Sequence, residues 1–455
     1  MTTAVQDMDL CVIGGGISGL ALAAFASKHL SVCVLEKNST VGGILQSTTL
    51  GSAVFDEAAN GWLDSEPSVA DLIDLIGCTP DITPANTDRA TRFLFHHKTL
   101  HPLSPKLLMQ ASPLLSWLQK LRALRELVWS PTPINEPSMA EFMRRRFGEG
   151  VIDNFLAPMC AGIYADAPEN ISLRAAFPNL WNMATQGSIL RQLFSRLRDK
   201  TRKHPHLTSL KMGTHQLCQN ITTHLRQCGH SVLTDTPATQ ITYDNGWIIQ
   251  TPNGNFRARS LALTCPAPAQ THLLDTVHPS IAMELSRIQY SPVAVVLQTF
   301  AKDDFTNPPS GFGALLSRSE QQSGLLGILF SSHLYPHRCP SDTIMTRSIL
   351  GGSIAPEIVS TSDEHLQSLA LQGHREAFDC PNLSPTNVRT IRWHRAIPRY
   401  SIGHWGLQER IRTFHNTNPL IRLSGNHLFG VAVKDCIRIG YEHAQHFIHT
   451  VPPKS

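Results

Sequence analysis

The sequence predicts an α/β chain, α+β in its overall make-up. A Rossmann-type dinucleotide-binding unit comes first, then a largely helical region, then a second lobe built on a mixed sheet. Three observations carry that reading. Near the start, an apolar run of strand length meets a glycine turn, an Ala- and Leu-rich helix, a second β-branched run and an acid. Between residues 104 and 203, apolar residues recur with a helical period, interleaved with Lys and Arg. Beyond residue 230, alternating runs are separated by Asn-Gly turns, the signature of hairpins.

Residues 9–13 (DLCVI) form the first run. Gly14, Gly15, Gly16, Ile17, Ser18 and Gly19 make the turn, residues 20–29 the helix, residues 30–35 (LSVCVL) the second strand, and Glu36 its tip. Gly14 supplies the tight turn, Gly16 lets a pyrophosphate approach the backbone, and Gly19 lets helix pack on strand. The helix N-terminus offers free N–H groups and a positive dipole end to phosphates. Glu36 is placed to accept both ribose hydroxyls, which favours an unphosphorylated ribose and therefore FAD or NAD. Lys37 and then Gly42-Gly43 follow within a few residues. Flavoproteins of the amine-oxidase type carry this acid-then-double-glycine extension, with the second pair against the flavin diphosphate, so FAD is favoured over NAD. Residues 51–55 read as a strand leading into Ala58, Ala59, Asn60 and Gly61, the stretch that in such flavoproteins passes beneath the isoalloxazine.

The rest follows in order. Residues 67–77 have a helical period, and residues 92–95 and 98–100 a short hairpin. In the helical region Leu107, Leu108, Leu114, Leu115, Leu118, Leu121, Leu124 and Leu127 form an apolar series near Trp117 and Trp129. Arg191, Arg196, Arg198, Lys200, Arg202 and Lys203 stand against one acid, Asp199. Two readings stay open: a monotopic surface with basic and Trp side chains at lipid headgroups, or leucines facing a core of their own. Residues 213–228 read as a helix and residues 231–234 as a strand. Two strands meet at Asn245-Gly246, the second turns at Asn253-Gly254, and residues 260–264 (SLALT) return as an apolar strand. The dinucleotide unit therefore resumes after a long insertion. Residues 294–300, 324–330 and 346–350 are strands of the second lobe, with a helix at 363–378. Near the end, residues 430–437 (GVAVKDCI) open onto a closing helix whose N-terminus is a second device for stabilising negative charge.

Composition bounds the function. The chain has 455 residues, 42% hydrophobic and 16% charged, enough for about three domain-sized units and too apolar for disorder. A net charge of +4 is too mild for nucleic acid but permits a local basic patch. The ten cysteines form no CxxC and read as small buried hydrophobes in a reducing compartment. No metal site is expected. His333 and His337 are separated by Pro336, and His443, His446 and His449 read as a solvated helix face. The uncharged stretch 10–27 follows Asp7 and Asp9 and is broken by glycines, so it is neither signal peptide nor membrane span. The reading is a cytoplasmic, bacterial-type chain without a targeting peptide.

Further segments carry a resemblance: residues 138–148 (SMAEFMRRRFG), 161–165 (AGIYA), 171–178 (ISLRAAFP), 396–405 (AIPRYSIGHW) and 430–437. With the glycine turn they resemble, collinearly from about residue 8 to residue 447, the oxygen-dependent protoporphyrinogen oxidase family. The resemblance implies an FAD-binding domain at 1–62, 206–285 and 405–455, and a substrate-binding domain at 63–92 and 286–404. It also implies a helical, membrane-associating domain at 93–205, which tips the open choice towards peripheral membrane attachment. The implied reaction takes a porphyrinogen to a porphyrin in three two-electron steps in haem synthesis. Each step passes hydride from a meso methylene to flavin N5, and O2 re-oxidises the flavin to give peroxide. Side-chain acid–base catalysts are not prominent in the family. Residue by residue, Arg92 matches the arginine that pairs with a substrate propionate, and Gly162 a glycine whose carbonyl faces the pyrrole N–H groups. Leu326 and Ile349 match apolar residues that sandwich the macrocycle. Ala238 matches the position touching adenine, Trp405 a flavin neighbour, and Val431, Ala432 and Val433 the loop under the isoalloxazine. The family often has Gly-Pro where this chain has Ala58-Ala59, and Arg where it has Asn60. The resemblance leaves room for a homodimer. Alternatives are coproporphyrinogen III, whose four propionates call for further cations such as Arg395 or Arg399, another flavin amine oxidase or desaturase activity, and a non-catalytic flavin-binding protein.

Overall fold

Two seven-stranded sheets form the body of the chain, each assembled from strands far apart in sequence. The computed structural model describes residues 6–86, 91–103, 114–133, 135–198 and 205–451. The elements that frame the sites run, in chain order, β1 (Gln6–Ile13), α1 (Ile17–Ala26), β2 (Val32–Leu35), β3 (Arg92–His96), β4 (Thr99–Leu103) and α2 (Trp117–Leu124). There follow α3 (Met139–Phe147), α4 (Ala157–Tyr164), α5 (Ile189–Arg198), β5 (Ser231–Leu233), β6 (Gln240–Tyr243), β7 (Trp247–Thr251) and β8 (Gly254–Leu263). The second lobe adds β9 (Tyr290–Ala301), β10 (Gly313–Leu316), β11 (Leu325–Leu329), β12 (Thr343–Gly351), α6 (Asp363–Phe378) and β13 (Asn387–Pro398). The chain closes with α7 (His404–Thr417), β14 (Ile421–Leu423) and α8 (Val433–Thr450).

The first sheet has the order β5-β2-β1-β8-β7-β6, with β14 also on β8. β5, β2, β1, β8 and β14 are parallel, and β6–β7–β8 is an antiparallel meander. Residues 260–264, expected as a strand of their own, instead continue the strand that starts at Gly254. β8 pairs with β1 from Phe256 to Leu263 while its first half pairs with β7. Parallel strands covered on both faces are apolar throughout. Accordingly α1 and α8 bury one face, with Leu20, Leu22, Ile437 and Phe447, and α7 buries the other, with Leu407, Ile411 and Phe414.

The second sheet is mixed, in the order β13-β9-β12-β11-β10-β3-β4. It shifts two expected boundaries. The division at 92/93 falls inside β3, because the hairpin β3–β4 joins this sheet through β10. The helix Pro67–Leu75 sends Val69, Leu72 and Ile73 into the core shared by α1 and α8, so that stretch packs with the dinucleotide unit rather than with the second lobe.

The helical region is organised by one buried ion pair. Glu126 and Arg146 are almost fully enclosed and meet at 2.9 Å. Arg146 also donates to the carbonyls of Pro131, Ala184 and Gly187. Glu126 accepts from Ser188 Oγ and from the Ile189 and Leu190 amides, which caps α5. The leucine series splits: Leu114 and Leu115 are buried, whereas Leu118 and Leu121 are exposed. Leu107, Leu108, Asp199, Lys200, Arg202 and Lys203 lie outside the described residues. Among the described residues no helix is long and apolar enough to cross a membrane. All ten cysteines are free, and no group of three metal-ligating side chains forms among the described residues.

Candidate functional site

The glycine turn after β1 is as close-packed as its spacing demands. Gly14 has φ +115, and a Cβ there would fall 2.8 Å from Cys265 N. A Cβ on Gly19 would fall 2.2 Å from Gly14 O, so α1 reaches the strand only because that atom is absent. On Gly15 it would meet the Glu36 side chain at 3.0 Å, and on Gly16 it would meet nothing within 4 Å. Open room therefore faces the start of α1, where no side chain caps the free N–H groups of Ile17, Ser18 and Gly19. Glu36 is buried at the tip of β2. Its Oε2 accepts from Gly15 N at 2.7 Å and its Oε1 from Asn38 N at 2.9 Å. The acid thus fixes the turn first and keeps lone pairs on both oxygens for a ribose. Lys37 beside it is exposed. Gly42 N donates to Gly15 O at 2.7 Å, and Gly43 lies against Gly16, which places the double glycine at the turn. Downstream of β5, Thr236 N donates to Glu36 O, and half-buried Ala238, the position expected at the adenine, follows two residues on.

A second helix end joins the first. Cys436 sits beside Ser18, and a Cβ on Gly440 would fall 3.0 Å from Leu22 N. Helices α8 and α1 therefore run side by side in the same direction. Both begin uncapped, at Ala432 and Gly16, so two positive dipole ends face the same space. Val431 is half-buried, Ala432 exposed and Val433 buried. Tyr400 holds this loop. Its hydroxyl donates to Asn426 O at 2.9 Å and accepts from Gly430 N at 2.7 Å.

The stretch 58–61 is tied from below by Asp56. Its carboxylate takes Arg338 Nη1 at 2.7 Å, Thr214 N at 2.6 Å and Ser47 Oγ at 2.8 Å. Thr214 Oγ1 then bonds Ala59 O, and Tyr335 OH donates to Asn60 O. These contacts fix the turn although Ala58, Ala59 and Asn60 replace the family's more usual residues. Gly61 fits because a Cβ would stand 2.2 Å from Thr208 O. Sequence reasoning missed Asp56–Arg338 and Tyr400 as positioning groups. Tyr400 sits inside a quoted segment, but nothing in the sequence signals Arg338.

The substrate residues come together on one face of the second sheet. Register places Arg92 beside Gly313, Leu94 beside Leu315, Leu315 beside Gly327, and Gly327 beside Ile349. Paired residues share a face, so Arg92, Leu315 and Ile349 look the same way, opposite to Ala314, Leu316 and Ile328 under α6. Helix α4 covers this face, and Gly162 meets Leu315 so closely that a Cβ would be 2.8 Å from its Cδ2. Leu326 reaches the same face through a bulge but has no exposed surface. It lines the core beneath the cleft rather than its wall, a correction to its expected contact with a macrocycle. Ile349 is half-buried, and Arg92 is exposed over the Phe312 ring at 4.7 Å, without a carboxylate partner among the described residues. Arg399, one of the further cations a tetracarboxylate would call for, is already paired with Asp166 at 2.7 Å.

Trp405 and His443 meet at another part of the molecule. The Trp405 ring lies 4.1 Å from the Arg174 guanidinium and 5.1 Å from that of Arg412, and it lines a separate cavity. His443 is not on a solvated face but buried against α7, where its ring meets that of His415.

The residues fit FAD on two counts: a cradle whose open room a side chain at Gly16 or Gly43 would fill, and two uncapped helix ends aimed at it. Fold and site together define an FAD-dependent oxidoreductase. The model of the flavin containing amine oxidoreductase family matches residues 17–448, and the chain belongs to that family. It is similar to protoporphyrinogen oxidase 2 of Arabidopsis thaliana, 27% identical with 96% of this chain and 93% of that protein covered. It is also similar to coproporphyrinogen III oxidase of Bacillus subtilis, at 24% identity with 94% and 95% covered. Among solved structures, one from Exiguobacterium sp. 255-15, provisionally named a protoporphyrinogen oxidase, shares the fold with TM-score 0.83, 23% identity and 99% and 100% coverage.

Proposed function

We propose that this chain oxidises a porphyrinogen, protoporphyrinogen IX in preference to coproporphyrinogen III, with O2 as acceptor and peroxide as product. The observation that carries the substrate preference is Arg92, exposed at the end of the sheet face and without a carboxylate partner among the described residues. A substrate with four propionates needs more free cations there, and Asp166 has neutralised Arg399. The relatives' names support the porphyrinogen class. When bound, the flavin supplies two-electron acceptance. The chain contributes the rest: Arg92 anchors a carboxylate bidentately, α4 and the face of β10–β12 hold a flat apolar macrocycle and exclude water, and the α8 N-terminus stabilises negative charge beside Val431. No proton-transferring side chain is required of the apolar face.

Turnover of the two porphyrinogens by purified yellow protein, read as porphyrin fluorescence and oxygen consumption, tests the reading. Faster turnover of coproporphyrinogen would overturn the preference. Arg92→Ala should weaken substrate binding by about 1.5–3 kcal/mol with little change in kcat. An unchanged KM would remove Arg92 from the site.

We further propose that the protein works at a membrane surface on the cytoplasmic side, through the face formed by α2, residues 125–129 and α5. Trp117, Leu118, Leu121, Val128, Trp129, Leu193 and Phe194 are exposed there, among Arg122, Arg125, Arg191 and Arg196. Helix α2 even inverts the usual pattern, burying Lys120 while Leu118 is 76% exposed. That arrangement suits headgroups and acyl chains.

A further inference from the structure

A cavity of about 450 Å³ opens between α7, α8, the free edge of β14 and residues 174–178. One end of it, at Phe429 and Arg438, adjoins the loop before α8, and the other, at His443 and His446, lies away from the cofactor cradle. His443 lies ten residues into α8, about 15 Å along the axis from the helix end that faces the flavin. Arginines dominate its walls: Arg174, Arg412, Arg422 and Arg438. Two of these have local carboxylates, Arg412 with Glu409 and Arg438 with Glu442. The other two have none among the described residues. Arg422 is only 6% exposed. Its Nη1 donates to the carbonyls of His415, Asn418 and Ile421, and its Nη2 lies 2.6 Å from His446 Nε2. Carbonyls and an imidazole hold the guanidinium in place but leave its charge uncompensated. A buried cation without a counter-ion costs several kcal/mol.

Two more groups on the same wall are unsatisfied among the described residues. Arg174 stacks on Trp405 and Trp181, yet its buried Nε has no hydrogen-bond partner. His443 is 7% exposed, lines the cavity, and its buried Nδ1 also has no partner. Buried polar groups in folded proteins are nearly always paired, so three deficits converging on one cavity point to a missing acceptor. The shortfall is of negative charge and of oxygen lone pairs, and Arg forks match phosphate oxygens bidentately. The room exceeds a single inorganic ion, and Trp405 and Phe429 give it an apolar wall.

We propose that this cavity binds a small polyanion of the phosphate-ester or pyrophosphate class, at a site distinct from those for flavin and porphyrinogen. Inorganic pyrophosphate is the probe, titrated calorimetrically into FAD-saturated holoprotein at constant ionic strength, with the flavin spectrum followed alongside. The expected result is one pyrophosphate per chain with the flavin retained, binding tighter than citrate, and about tenfold weaker binding in Arg412→Gln. Arg412 is exposed, so that variant keeps its fold, and Arg174→Gln serves as an independent second variant with the same expectation. Absence of binding, release of flavin, tighter binding of citrate, or wild-type affinity in both variants would each overturn the proposal.

Discussion

The cofactor cradle and the helical region are held by opposite means. Around α1 and α8 the contacts are backbone to backbone, made possible by atoms that are missing: Gly19 against Gly14 O, Gly440 against Leu22 N, Gly61 against Thr208 O. In the helical region the contacts are charge to carbonyl, made by one arginine that reaches across three segments. The first kind of contact tolerates no added atom. The second tolerates no removed partner. That difference governs how each region fails.

The largest effect is expected at the cradle. Gly19→Val would drive a side chain into Gly14 O and the Thr264 hydroxyl, so the protein should lose its yellow colour and most of its soluble yield. A variant that keeps stoichiometric flavin would show that the turn can open. Next comes acid. Burial pushes His404 down to about 4, His415 to about 2, and His427 and His443 to about 3, all around α7 and α8. In the second lobe it pushes His374 to about 4. Each ring is neutral when folded but takes a proton near pH 6.5 when unfolded. Stability is therefore complete above that pH and falls below it, by about 1.4 kcal/mol per histidine per pH unit. A melting temperature that drops steeply from pH 6.5 to 5, with flavin released before the second sheet unfolds, is the expected result. A flat profile would refute it.

Arg146→Met should cost about 3–5 kcal/mol, because it strands Glu126, while Arg146→Met combined with Glu126→Leu should recover much of that in denaturant titrations. If the double variant is no better than the single, the pair is not the organising contact. The smallest effect on stability, within about 0.5 kcal/mol, is expected of Leu118→Glu on the open face of α2. Its readout is sedimentation with anionic lipid vesicles. Undiminished binding would remove this face from membrane attachment.

What the sequence disclosed follows the same divide. The strand, glycine turn, helix and acid could be read directly, because close backbone approach requires glycine at fixed local positions. The hairpin at 92–103 was visible as a hairpin, but its sheet was not, since β10 lies some two hundred residues later. A helical period reveals an apolar stripe without saying which way it points, so the outward turn of Leu118 and the burial of Lys120 were hidden. Arg399 reads as a free cation until Asp166 is brought beside it, and Arg174, Arg412 and Arg422 look unrelated until α7 and α8 converge.

β1 pairs on one side with β2, close behind it in sequence, and on the other with β8, which ends at Leu263. The second helix end at the cradle belongs to α8, which starts 170 residues after β8 ends, at Val433. On a ribosome, the nascent dinucleotide unit therefore waits, half-sheeted and with an exposed strand edge, while the intervening segments are translated. A message broken anywhere before α8 yields a product that lacks the second helix end of the cradle.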